Sequence, residues 1–171
     1  TGIMLILLLT GMLTLAFSVQ LTKAEWTGTV YIRADGSIDP PDAPIITYDN
    51  ITYTLKDDIT SSWHGIIVER DDIVVDGAGH TIQGMGDYMG IYLAGRSNVT
   101  IKNMEINTFD YGIQLYYSLN NTIVGNNITA NDGYGIWLHR SSYNSIVGNN
   151  ITNNYYGIHL DGSSNNNRIV G

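Results

Sequence analysis

The sequence predicts an all-β chain wound as a right-handed, single-stranded parallel β-helix, a solenoid of ~22-residue coils. Three observations carry this reading. A Gly-Ile-x-Leu pattern recurs as Gly90-Ile91-Tyr92-Leu93, Gly112-Ile113-Gln114-Leu115, Gly135-Ile136-Trp137-Leu138 and Gly157-Ile158-His159-Leu160, at spacings of 22, 23 and 22 residues. Two more apolar positions repeat in step with it: Val75, Ile101, Ile123, Ile146 and Ile169, then Ile82, Ile106, Ile128 and Ile151. Each apolar segment is a few residues long and bounded by Gly, Asn, Asp or Ser, too short for a stable helix and suited to a strand.

From the N-terminus, Ile3 to Val19 is an apolar run, and Thr22-Lys23-Ala24 before Glu25 has the small-residue character of a cleavage site. Residues 1–24 are therefore expected to be a signal peptide or, uncleaved, an N-terminal membrane anchor, which needs ~20 apolar residues. Residues 25–60 break the period. Val30-Tyr31-Ile32 and Ile51-Thr52-Tyr53-Thr54-Leu55 alternate as strands do, and Pro40, Pro41 and Pro44 mark a turn between them. They are expected to cap the open end of the solenoid, since bare parallel edges invite pairing with other chains. Residues 61–171 hold the coils, opening on a looser copy at Gly65-Ile66-Ile67-Val68. The chain is expected to stop inside the helix, truncated before a C-terminal cap.

Within the coils, Thr122 to Thr129 and Ser145 to Thr152 match at seven of eight positions. Stacking such copies ~4.8 Å apart puts equivalent side chains in columns, with Ile, Leu and Val filling the interior. Asparagine at the corners suits left-handed turns, and Asn126 with Asn149 and Asn127 with Asn150 are expected to form amide ladders. A leucine-rich repeat has a similar period but different Leu and Asn spacing.

These coils, Gly-Ile-x-Leu followed by Asn-x-Thr-Ile-x-Gly-Asn-x-Ile, resemble the pectin-lyase-like β-helix superfamily, and most closely its NosD-type repeats of exported, archaeal-type proteins. The resemblance covers nearly the whole chain after the leader. It implies the fold and export to the periplasm, cell surface or exterior. It is weak for function, because this fold carries lyases, hydrolases, adhesins and metal-handling accessories. A NosD-like copper accessory is one reading it implies, although Met85 and Met89 flank a Gly-rich corner without forming a copper motif.

Composition narrows the classes. Sixteen acidic against eight basic residues give a net charge of -8, which argues against nucleic acid and against anionic membrane surfaces. A membrane contact is expected only through residues 1–24. With no cysteine, thiol catalysis and Cys-based zinc sites are excluded. No catalytic residue, metal site or cofactor is assigned. Asp57-Asp58 and Asp71-Asp72 are adjacent pairs in turns, where Asp is favoured for local reasons, and glycosidases need carboxylates ~5–10 Å apart across a bond. A polysaccharide lyase or glycoside hydrolase remains the rival reading, with its catalytic residues beyond residue 171.

The candidate surface follows from strand alternation. With Ile and Leu of Gly-Ile-x-Leu pointing inward, the intervening residue and the one after Leu point outward. One outward column reads Ile67, Tyr92, Gln114, Trp137, His159, and the other Glu69, Ala94, Tyr116, His139, Asp161. Tyr92, Gln114, Tyr116, Trp137, His139, His159 and Asp161 are therefore the candidate ligand-binding residues. Their partner would be a polysaccharide or cell-surface glycan, rings stacking on sugar faces. The competing reading is structural, because aromatic columns favour strands by packing across them. His139 and Asp161 share one offset in adjacent coils, as an acid/base pair, a weak metal site or a plain surface pair. Asn-x-Thr sequons at Asn50, Asn98, Asn120, Asn127 and Asn150 are candidate glycosylation sites, although an Asn corner before a Thr-rich strand creates such triplets by itself.

Overall fold

The computed structural model describes residues 25–171, and all regular structure within them is β. The leader expected at residues 1–24 lies outside the described residues. The coils wind as a right-handed parallel β-helix, and each contributes a strand to three sheets. The first sheet stacks Val30–Ile32, Ile66–Val68, Met89–Ala94, Tyr111–Tyr116, Tyr134–His139 and Tyr156–Asp161. The second stacks Thr52–Leu55, Val74–Asp76, Thr100–Lys102, Thr122–Val124, Ser145–Val147 and Arg168–Val170. The third stacks Trp26–Thr27, Ile59–Thr60, Thr81–Gln83, Glu105–Asn107, Asn127–Thr129 and Asn150–Thr152.

Pairing between coils is parallel and keeps the sequence repeat in register: Ile91 faces Ile113, then Ile136, then Ile158. Four inward columns result. Ile66, Ile91, Ile113 and Ile136 form one, and Val68, Leu93, Leu115 and Leu138 the next. Val75, Ile101, Ile123 and Ile146 fill the second sheet's interior, and Ile59, Ile82, Ile106 and Ile128 the third's. All are at most 2% exposed, and each such side chain contributes roughly 1.5–3 kcal/mol. A strand of three residues buries at most two of them, so stability accrues by stacking coils rather than within one.

Residues 25–60 supply more than a cover. Val30–Ile32, Thr52–Leu55 and Ile59–Thr60 pair in parallel with the next coil and so form a full coil themselves. Ile38–Asp39 and Ile45–Ile46 fold back antiparallel on the outer edges of the first two sheets. The three prolines lie between these two short strands. Tyr53 stands where the coils place Val and Ile, and its buried hydroxyl donates to the Gly36 carbonyl at 2.8 Å.

The corners divide into two kinds. Left-handed backbone falls mostly on exposed residues, among them Asn98, Asn103, Asn120 and Asn153, with φ between 55° and 57°. The amide ladders use different asparagines. Asn126 donates to Asn149 at 3.0 Å and Asn150 to Asn127 at 2.8 Å, as the sequence predicts. Two further ladders run through Asn121, Asn144 and Asn167 and through Asn131 and Asn154. A fourth corner uses hydroxyls: Ser141 Oγ accepts from the Ser118 N–H, and Ser164 Oγ from the Ser141 N–H, both at 3.0 Å. Apart from the Asn127–Asn150 pair, which lies within strands, these side chains take up backbone N–H groups that the turns leave without sheet partners.

Candidate functional site

The first sheet's outer side carries the candidate residues, and its four six-residue strands begin one residue earlier than the Gly-Ile-x-Leu pattern suggests, at the position that His64 holds just ahead of the shorter Ile66–Val68 strand. That extra position, just before the glycine, holds His64, Met89, Tyr111, Tyr134 and Tyr156 in successive coils. The sequence shows it as a repeated Tyr-Gly-Ile, a signal the outward-column reading passes over. A third ring column therefore flanks the two expected ones.

The rings pack along and across the columns. Tyr111 stacks on Tyr134 at 5.5 Å between centroids, and Tyr134 on Tyr156 at 5.2 Å. His159 stacks on Tyr134 at 4.7 Å with planes 14° apart, and His139 on Tyr116 at 5.2 Å and 10°. Trp137 lies in the middle, its centroid 5.1 Å from that of Tyr111 and 5.7 Å from that of His139. Tyr92 stacks on His64 at 5.7 Å, and Trp63 and Tyr88 close around the same imidazole. The result is a band of rings along the outer side of one flat sheet.

Gln114 departs from the expectation. It lies in register between Tyr92 and Trp137 on the outward side but is only 4% exposed, so it is no open contact. Its Oε1 has no hydrogen-bond partner among the described residues, an uncommon state for a buried amide.

The expected His139 and Asp161 pair forms. His139 Nδ1 lies 2.7 Å from Asp161 Oδ1, and Trp137 Nε1 donates to the same oxygen at 3.2 Å. His159 Nε2 is 3.9 Å from Asp161 Oδ2. One carboxylate thus fixes the planes of the indole and imidazole that sit across it. Beside them, Arg140 Nη1 donates to the Tyr117 hydroxyl, and the guanidinium lies over the Tyr117 ring.

Tyr117 and Arg140 both have left-handed backbones, with φ of 51° and 50°. The equivalent corner in the neighbouring coils is Gly95 or Gly162, where that conformation costs little. A non-glycine residue held there costs roughly 1–2 kcal/mol, and such strain gathers where side-chain placement matters. Both strained side chains lie against the ring band.

Burial holds two phenols of the band protonated at neutral pH. Burial pushes the Tyr92 phenol up, as it does Tyr111 together with the Asp110 carboxylate, so both stay protonated donors. Burial lowers the His64 pKa, and the Met89 N–H donates to its Nδ1 at 3.3 Å. The unfolded chain takes up that proton more readily, so stability is present above about pH 6.5 and lost as pH falls below it. We expect wild-type stability to decline relative to His64→Phe on acidification from about pH 7 to 5, measured by thermal unfolding. Parallel curves would place the group's titration elsewhere.

The paired aspartates bond within the fold. Asp58 accepts the Thr81 N–H at 2.8 Å and lies 3.2 Å from His80 Nδ1; Asp71 accepts the Ser97 N–H at 2.9 Å. Sequon residues Asn50, Asn98 and Asn120 are exposed left-handed corners, whereas Asn127 and Asn150 lie within strands and bond to each other. Met104 is buried in the core, and Met85 is exposed.

A family model described as periplasmic copper-binding protein (NosD) matches residues 19–171. No curated protein and no solved structure matches the chain. The match spans every described coil, and the stacked, in-register repeat is that of a parallel β-helix, so the chain belongs to the NosD family.

Proposed function

We propose that this is an exported β-helix that holds an extended glycan along the aromatic band of its first sheet. The observation that carries the reading is the band itself: stacked Tyr, Trp and His rings fixed by Asp161, with strained Tyr117 and Arg140 at its border. Rings presented at one strand spacing suit a chain of flat, partly apolar sugar rings, and neighbouring phenols and imidazoles offer donors to hydroxyls. Family membership supports export, since the family is described as periplasmic.

Trp137 sits at the centre of the band, so Trp137→Ala should weaken glycan binding by about tenfold, near 1.4 kcal/mol. Isothermal titration of both proteins against a polysaccharide panel measures this. Equal binding by the variant would return the band to a purely structural role.

Copper handling is the second reading, favoured by the family's description. The described residues do not fit a copper centre. Among them no group of three or more His, Cys, Asp or Glu side chains is arranged to hold a metal ion, the His139, His159 and Asp161 cluster included, and the sequence has no cysteine. His64 Nδ1 is taken by the Met89 N–H and His139 Nδ1 by Asp161, while Met104 lies in the core. Soft-metal sites draw on clustered thiolate, thioether and imidazole donors, so no copper step is derived from this chain.

A further inference from the structure

The ring band has a gap. In the column that places Tyr116 and His139 in adjacent coils, the next coil has Ala94, with Glu69 beyond it. The neighbouring column narrows at the same level, where Ile67 stands beside Tyr92. A cavity of about 250 Å³ opens there, with Ile67 and Ala94 among its lining, Tyr92 as an aromatic wall, and Glu69 and Arg96 as its polar groups.

We infer that this cavity is a subsite for one neutral pyranose unit of the bound glycan, and that the band selects neutral over uronate-rich chains. This rests on the glycan reading above and adds the ligand's charge class. An apolar floor beside a phenol ring suits the flat face of a sugar. Among the described residues Glu69 Oε2 has no hydrogen-bond partner, because Oε1 takes the Arg33 bond at 3.0 Å. That oxygen accepts from a sugar hydroxyl, and charge-assisted bonds of this kind are strong.

The cations at the cavity are each paired with carboxylates. Arg96 donates from Nε to the Ala94 carbonyl and from Nη1 to the Glu69 carbonyl, each at 3.0 Å, and lies 3.5 Å from Asp71. Arg33 pairs with both Asp39 and Glu69 and covers the Tyr31 ring at 4.0 Å. Arg140 lies two coils away on Tyr117. Three carboxylates, Asp39, Glu69 and Asp71, surround two guanidiniums, Arg33 and Arg96, so a uronate carboxylate entering the cavity meets an excess of negative charge. Like charges so placed oppose binding, and the chain's net charge of -8 adds to the repulsion.

The test uses isothermal titration with hexasaccharides of neutral β-glucan, mannan and galactan against hexagalacturonate. Ala94→Tyr fills the cavity with a side chain that its own column already stacks at Tyr116, so the fold is expected to persist. We expect a neutral hexasaccharide to bind at least tenfold more tightly than hexagalacturonate. Ala94→Tyr should weaken that binding at least tenfold and Glu69→Gln several-fold. Hexagalacturonate binding as tightly, or neutral binding unchanged in Ala94→Tyr and Glu69→Gln, would overturn the subsite while leaving the band as a glycan surface. Binding of no glycan by the wild-type protein would overturn the reading on which it rests.

Discussion

Gly112→Ala is expected to destabilise the protein by about 3 kcal/mol, measured by denaturant unfolding, although it adds a single methyl group. The glycine before each inward Ile lies against the next coil. A Cβ on Gly112 would sit 2.6 Å from the Gly135 carbonyl oxygen and 2.6 Å from Ile128 Cγ2. Gly65, Gly90 and Gly135 repeat the contact, each with a Cβ position 2.5–2.7 Å from the following coil's carbonyl. A carbonyl held in a parallel ladder cannot yield as a side chain tip can, so the coils must separate locally and surrender burial on both sides. Gly95→Ala is the contrast. It has open space around it but a φ of 65°, so its cost is conformational, about 1 kcal/mol. Gly95→Asn should recover part of that loss, because Asn tolerates the left-handed region, whereas no side chain should rescue Gly112. Equal effects at the two positions would mean that crowding between coils is not what the glycine column prevents.

That glycine column also explains which features are legible in the sequence. The coils from Gly65 to Gly135 repeat the same close contact, so the Gly-Ile-x-Leu period survives in plain view, and the sheets, the inward columns and the register follow from it. Strand alternation likewise places Tyr116, Trp137, His139, His159 and Asp161 on one outer side, and the His139–Asp161 contact follows from stacking, whereas the diagonal bond from Trp137 to Asp161 does not. Two errors have a common origin. The Gly-Ile-x-Leu frame starts each strand at glycine, so the tyrosines just before it, Tyr111, Tyr134 and Tyr156, go uncounted although they complete the band. Counting them accounts for the burial of Gln114, since outward direction does not guarantee exposure where ring columns lie on both sides. The lowest coil is hidden for another reason: two antiparallel strands are inserted within it, so its parallel strands fall out of period. His64, Trp63 and Tyr88 cluster through that departure and a loop, which no repeat announces.

Asn144→Leu should cost about 4 kcal/mol, even though leucine nearly matches the volume and suits a buried site. Asn144 is 1% exposed and serves three chain levels at once. Its Oδ1 accepts the Asn121 N–H at 2.8 Å and the Asn121 amide at 3.1 Å, while its Nδ2 donates to the Ser118 carbonyl at 3.2 Å and to Asn167 Oδ1 at 3.1 Å. Leucine leaves a backbone donor and a backbone acceptor buried without partners, each costing about 1–3 kcal/mol. Position alone does not require a polar residue, since Val99 fills the same corner two coils earlier; what requires it is that the Asn121 backbone depends on this side chain. Asn144→Asp separates the two halves of the role. It keeps the accepting oxygen for Asn121 but turns a second oxygen toward Ser118 O and Asn167 Oδ1, acceptor against acceptor unless protonated. Burial raises that new carboxyl's pKa in the folded state, so the folded protein binds the extra proton and the variant's deficit should shrink as pH falls toward the unfolded value near 4. A deficit for Asn144→Asp that stays constant from about pH 7 to 4, or a small cost for Asn144→Leu, would mean that the apolar columns alone hold the coils together.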